Sequence, residues 1–139
     1  MATTTATITL ASADLLSDSL SLSSTATLYD AGTTTGLTQY DSGRVETPGD
    51  GSIYVLLDST AAAVDKGNRV YIANKNTDED HYIIVSIDEA VIGRLYAGDW
   101  MFIPWSQTDA AADLEVRAPN EVNAIEYAVF HEGRTFTGA

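Results

Sequence analysis

His81-Tyr82-Ile83-Ile84-Val85-Ser86-Ile87-Asp88-Glu89-Ala90-Val91-Ile92-Gly93-Arg94-Leu95-Tyr96-Ala97-Gly98-Asp99-Trp100-Met101-Phe102-Ile103-Pro104-Trp105 is the stretch on which the fold turns. It holds three apolar runs, His81 to Ile87, Val91 to Tyr96 and Trp100 to Ile103, parted by Asp88-Glu89 and by Ala97-Gly98-Asp99. Short runs rich in β-branched and aromatic residues, bounded by residues that tolerate tight backbone geometry, read as β-strands joined by turns.

The same texture extends in both directions. Toward the C-terminus, Ser106 to Asp109 and Pro119-Asn120 supply turn chemistry around strands expected at Leu114 to Ala118 and Ala124 to Phe130. Toward the N-terminus, Asn76 to Asp80 precedes the central stretch, a strand is expected at Arg69 to Asn74, and Ser59 to Asn68 reads as a loop or a single helical turn. Ile53 to Leu57 reads as a strand entered through the Pro48-Gly49-Asp50-Gly51 turn. From Asp41 onward the composition reads as charged turns between apolar strands.

The first 43 residues carry no Lys or Arg and are rich in Thr and Ser, yet they alternate with period two. Ala6, Ile8 and Leu10 oppose Thr5, Thr7 and Thr9; after a break, Leu20, Leu22, Ala26 and Leu28 oppose Ser19, Ser21, Ser23, Thr25 and Thr27. Such alternation predicts strands, and β-branched Thr suits the outward side of a pleated surface. Gly32 to Gly36 reads as a loop able to act as a hinge. The expectation is an all-β chain: a β-sandwich or jelly roll of about eight to nine short strands with an N-terminal β-hairpin or arm. Its divisions are expected at 1–40 for the hairpin, 41–132 for the sandwich and 133–139 for a C-terminal tail, without internal repeat.

A chain of 139 residues is long enough to bury a core without staples, consistent with its lack of cysteine, which removes disulfides and thiolate chemistry. Twenty acidic residues against seven basic ones give a formal charge of −13, a field that repels polyanions. The cations Arg44, Lys66, Arg69, Lys75, Arg94, Arg117 and Arg134 are dispersed, so neither nucleic acid nor an anionic membrane is an expected partner. Met1 to Leu16 lacks a basic segment of the secretory type, and no apolar run approaches the roughly 20 residues of a membrane-spanning helix.

Catalytic signatures are missing. His81 and His131 stand in no metal-ligand spacing and each is expected to flank a strand end; a general base would also need an orienting partner and a pocket, which are matters of the fold. Asp78, Glu79, Asp80, Asp88 and Glu89 put oxygen ligands near two turns, but without the spacing of a calcium loop. No nucleophile elbow or phosphate-cradling glycine loop occurs. No enzyme activity, metal or cofactor is therefore expected. Tyr96, Trp100, Phe102 and Trp105 could stack on sugars, although strand aromatics more commonly pack cores.

Several strands are apolar on both faces, whereas a sandwich strand ordinarily buries one and wets the other. Trp100, Phe102 and Pro104 share one parity; Met101, Ile103 and Trp105 share the other. Tyr82 to Val85 and Tyr54 to Leu57 behave alike. The surplus calls for covering by loops, by the N-terminal hairpin or by a subunit interface, which makes Ile8, Leu10, Leu20, Leu22, Leu28, Trp100, Phe102 and Trp105 the interface candidates of a homo-oligomer or larger assembly.

Val91 to Pro104, Asp113 to Ala118 and Ile125 to Phe130, together with the Leu16-Ser17-Asp18-Ser19-Leu20-Ser21-Leu22 opening, resemble the small all-β virion structural proteins of tailed bacteriophages. The resemblance covers about half the chain, is one of texture, and carries no catalytic residues. It implies a subunit located in the virion that binds other virion subunits. The first expectation is a head decoration or cement protein on the major capsid protein; a neck, tail or baseplate component and a carbohydrate-binding module for host attachment are the alternatives.

Overall fold

The computed structural model describes residues 4–15, 18–28, 37–59, 66–106, 112–119 and 121–135. The glycine loop at residues 32–36 and the turn expected at 107–109 lie outside them. Among the described residues the chain is all-β, with ten strands and no helix. They are β1 (Thr4–Leu15), β2 (Asp18–Leu28), β3 (Leu37–Glu46), β4 (Tyr54–Leu57), β5 (Lys66–Asn74), β6 (Tyr82–Ile87), β7 (Ala90–Tyr96), β8 (Trp100–Ser106), β9 (Leu114–Arg117) and β10 (Ala124–Thr135).

Eight of them form a sandwich of two antiparallel four-stranded sheets, ordered β3-β10-β5-β8 and β4-β9-β6-β7; β1 and β2 form a separate two-stranded ribbon. The sandwich pairs as a mirror. β3 lies on β10, β4 on β9, β5 on β8 and β6 on β7, so each strand of the first half meets its counterpart counted back from the end. This is the pairing of one long hairpin rolled on itself, and it brings residues far apart in sequence side by side.

The core lies between the sheets. Val70 and Ile72 of β5, Ile125 and Val129 of β10 and Trp105 of β8 meet Ile83 and Val85 of β6, Leu95 of β7 and Leu114 and Val116 of β9. Parity explains the membership, because successive side chains of a strand point to opposite faces. On β8, Trp105 is buried and Met101 and Ile103 pack against the core, while Trp100 and Pro104 are exposed. Buried Trp105 donates its indole N–H to the Ala112 carbonyl at 2.7 Å, satisfying the polar end of the ring.

The structure adds detail to the sequence reading. The tenth strand is β3, whose second half, Asp41 to Glu46, carries no strand expectation in the sequence; its cross-strand neighbours on β10 supply the order that its own mixed composition does not signal. The composition shift near residue 40 thus falls inside a strand, as does the division at 132/133, which lies within β10. Trp105, an interface candidate on sequence grounds, belongs to the core of its own sheet pair.

The turns explain the spacing of the strands. Asp88 and Glu89 both have positive φ, 47° and 64°, the backbone of a two-residue hairpin loop whose twist matches its strands. No glycine relieves this turn, and β9 holds it: the Asp88 N–H donates to the Asp113 carbonyl at 3.0 Å and the Glu89 N–H to the Glu115 carboxylate at 2.9 Å. Glu115 is buried and also accepts from the Ser86 hydroxyl at 3.0 Å. In the Asp50 turn, the Ser52 hydroxyl and amide donate to the Asp50 carboxylate and hold it below the usual carboxylate range.

Two stability predictions follow from this packing. A Cβ on Gly49 would lie 2.8 Å from the Val122 backbone nitrogen, whereas one on Gly93 would meet nothing within 4 Å. Gly49→Ala should lower unfolding stability by about 1–3 kcal/mol and Gly93→Ala change it by less than about 0.5 kcal/mol, read from urea midpoints. Glu115→Leu strands the Ser86 and Glu89 donors and should cost about 1–3 kcal/mol in the same assay.

Candidate interaction surface

The β1–β2 ribbon sorts its residues by face. Thr4 pairs with Leu28, Ala6 with Ala26, Ile8 with Ser24, Leu10 with Leu22 and Ser12 with Leu20, all on one side; Thr5 with Thr27, Thr7 with Thr25 and Thr9 with Ser23 fall on the other. The polar side is knit by a Thr7–Thr25 hydroxyl contact at 3.0 Å. The apolar side is open: Ile8 is 39% exposed, Leu10 52% and Leu22 54%. Leu20 and Leu28 occupy that side by register, although their side chains lie outside the described residues.

A second apolar surface lies on the outer face of the β3-β10-β5-β8 sheet. Register places Ala128, Tyr71 and Phe102 in one row, with Glu126, Ala73 and Trp100 in the next. Tyr71 and Trp100 have ring centroids 6.4 Å apart, and Phe102 meets Phe130 edge-on at 6.5 Å. The small side chains of Ala73 and Ala128 leave hollows on either side of Tyr71. One, of about 380 Å³, is bordered by Ser42, Arg44, Glu126 and Tyr127; another, of about 260 Å³, by Lys75, Asn76 and Trp100. Arg44 and Glu126 form an ion pair at 2.9 Å, which is well exposed and adds little to stability.

The two surfaces meet. Ala6, Thr7, Ile8 and Ser24 of the ribbon face Tyr71, Trp100 and Phe102 across a depression of about 270 Å³. Trp100 remains 52% exposed there. The structure thus brings Ile8, Trp100 and Phe102 together, leaves Leu10 and Leu22 open on the same ribbon face, and removes Trp105 to the core. Sequence reading missed Tyr71, Phe130 and the two alanines. The signal was present in β5, where buried Val70 and Ile72 bracket Tyr71, but parity becomes a surface only once β8 and β10 are known to flank β5.

Both histidines have an Asn and an Asp beside them. His131 contacts the Asn68 amide oxygen at 2.7 Å and lies 3.6 Å from the Asp41 carboxylate; His81 contacts the Asn76 amide and lies 3.6 Å from Asp78. Among the described residues no three His, Cys, Asp or Glu side chains converge as a metal site would require. Nor do they include a helix long and apolar enough to cross a membrane. The chain matches no model of a known protein family and no characterised protein.

Since the carboxylates at Asp78 to Asp80 and Asp88-Glu89 do not converge, millimolar calcium or EDTA should leave the melting temperature unchanged. A ligand that binds only the folded state would raise it by mass action, so a calcium-dependent rise of several degrees would contradict this geometry.

Proposed function

We propose that the chain is a non-enzymatic structural subunit of a tailed-phage virion, most simply a decoration or cement protein that binds the major capsid protein. The observation that carries the reading is the β1–β2 ribbon, whose apolar side is half exposed along Ile8, Leu10 and Leu22. An isolated two-stranded ribbon is marginal in water, and an open apolar face on it calls for a partner surface. We read the mirror pairing of the sandwich as a jelly-roll winding, an architecture that viral capsid and lectin domains share. The resemblance of Val91 to Pro104 and the segments after it to phage virion proteins supports the same assignment, and a neck, tail or baseplate position would use the same surfaces.

A carbohydrate-binding role is favoured by one feature, the half-exposed Trp100 beside Tyr71 on a hollowed sheet face. Stacking of a sugar on that indole is its minimal requirement. Retention on a glycan array that Trp100→Ala abolishes would establish it.

For the leading reading, particles produced from a phage genome encoding the chain should contain it in fixed copy number by quantitative mass spectrometry. Leu10→Asp with Leu22→Asp should deplete it from particles at least tenfold while leaving the sheet signal in circular dichroism intact. Particles that never contain the wild-type chain would refute the assignment.

A further inference from the structure

We propose that the ribbon's apolar face is a docking element for a second copy of this chain, seated on that copy's Tyr71–Trp100–Phe102 face in a reciprocal exchange of hairpins. The inference deepens the assembly reading above and rests on it: the subunit that covers this face is a second copy, and contact with the capsid falls to the other surfaces of the pair. Within one chain, Ala6, Ile8 and Ser24 already stand over these rings. Surfaces that meet within one molecule are complementary by construction to the same surfaces of its copy, which is why exchange of an element is a low-cost route to a dimer. The meeting within one chain is incomplete. A gap of about 270 Å³ stays between ribbon and sheet, Ile8, Leu10 and Leu22 keep 39%, 52% and 54% of their exposure, and Trp100 keeps 52%.

Charge selects a second copy over a basic partner. The chain carries −13, yet residues 4–28 contain no Lys or Arg and only Asp14 and Asp18, both near the β1–β2 connection. On the receiving face, Arg44 and Lys75 border the hollows around Tyr71, with Arg44 paired to Glu126 and Glu46 on the same side of β3. A ribbon with two carboxylates therefore meets a face on which the charges cancel, so two acidic copies can approach there without the repulsion that governs the rest of their surfaces. A basic partner would instead be drawn to the carboxylates of Asp78, Glu79, Asp80, Asp88 and Glu89, which lie on other turns.

Area is sufficient. Strands of 12 and 11 residues make a ribbon about 40 Å long and about 10 Å wide. Two exchanged ribbons and the two faces that receive them would bury on the order of 1,600 Å², the size of a stable specific interface. The resulting contact is isologous, each copy giving a ribbon and receiving one, as a two-fold axis requires.

The chain lacks cysteine, which makes single-site cross-linking unambiguous. Full-length Ile8→Cys and Phe102→Cys chains, one of them mass-tagged, are mixed, partly unfolded, refolded together and oxidised. Exchange gives a tagged–untagged disulfide heterodimer, and the wild-type chain sediments as a dimer that Leu10→Asp with Leu22→Asp converts to monomer. Overturning results are a wild-type chain that stays monomeric at micromolar concentration, or an Ile8→Cys, Phe102→Cys double variant that closes its disulfide only within one chain. Because Leu10 and Leu22 are exposed, their variants should keep the wild-type sheet spectrum, and the cross-link between cysteine-bearing chains reads the contact independently of them. A monomer still incorporated into virions would refute the exchange and spare the virion assignment; a cross-linked dimer absent from virions would do the reverse.

Discussion

The register between β5 and β8 is the constraint on which the rest depends. Val70 faces Ile103 and Ile72 faces Met101 on the core side, while Tyr71 faces Phe102 and Ala73 faces Trp100 on the outer side. A slip by one residue would turn Ile72 and Val70 to solvent and push Tyr71 into the space that Ile83 and Leu114 fill. Burial of two β-branched side chains to zero exposure against an opposite sheet decides the outcome, at roughly 1.5–3 kcal/mol for each side chain removed from water. The aromatic face is therefore a consequence of core packing: once Val70 and Ile72 are in, Tyr71 must be out.

That constraint explains what could be read from the sequence. The short apolar runs at Tyr82 to Ile87, Ala90 to Tyr96 and Leu114 to Arg117 sit between turns of clear chemistry, and local pattern sufficed for them. The alternation of Thr and Ser against Ala, Ile and Leu marked the ribbon for the same reason. β3 was not legible, because Asp41, Ser42, Gly43 and Arg44 have poor strand propensity by themselves and are held extended by β10, a strand some eighty residues away. The doubly apolar character of β8 was visible, but which parity faced inward was not. Trp105 goes in because it shares parity with Met101 and Ile103 and finds the Ala112 carbonyl for its N–H, a partner that no local pattern shows.

The polar groups at one end of the sandwich fix how the aromatic face is framed. Asn74 is fully buried and spends its side chain on the sandwich itself, donating to the Leu95 carbonyl at 3.0 Å and accepting from the Asn76 N–H at 3.0 Å. Asn76 in turn donates to Asn123, whose backbone N–H and carbonyl are bonded to Thr47. β5, the loop after it, and the segments next to β3 and β10 are thereby tied together. A buried network with each of these partners in place rigidifies what surrounds it. Lys75 and Trp100, which border the neighbouring hollow, stand on a fixed frame, and a partner docking there meets a preorganised surface.

The ribbon obeys a different logic. Its Thr and Ser face supplies β-propensity and cross-strand hydroxyl contacts without charge, so the strand pairing is favoured while little opposes association. Exposed edges in natural sheets are normally guarded by Lys, Pro or inward-pointing charge. None of these occurs in β1 or β2, where only Asp14 and Asp18 carry charge. Elsewhere the chain does guard its surface: Arg94 interrupts the outer face of β7 and lies over the Tyr82 ring at 4.9 Å. The sequence thus concentrates charge on its sandwich and places little on its longest pair of strands. On a chain with a net charge of −13, the ribbon, whose two carboxylates both lie near its connection, is the stretch that opposes the approach of another acidic surface least.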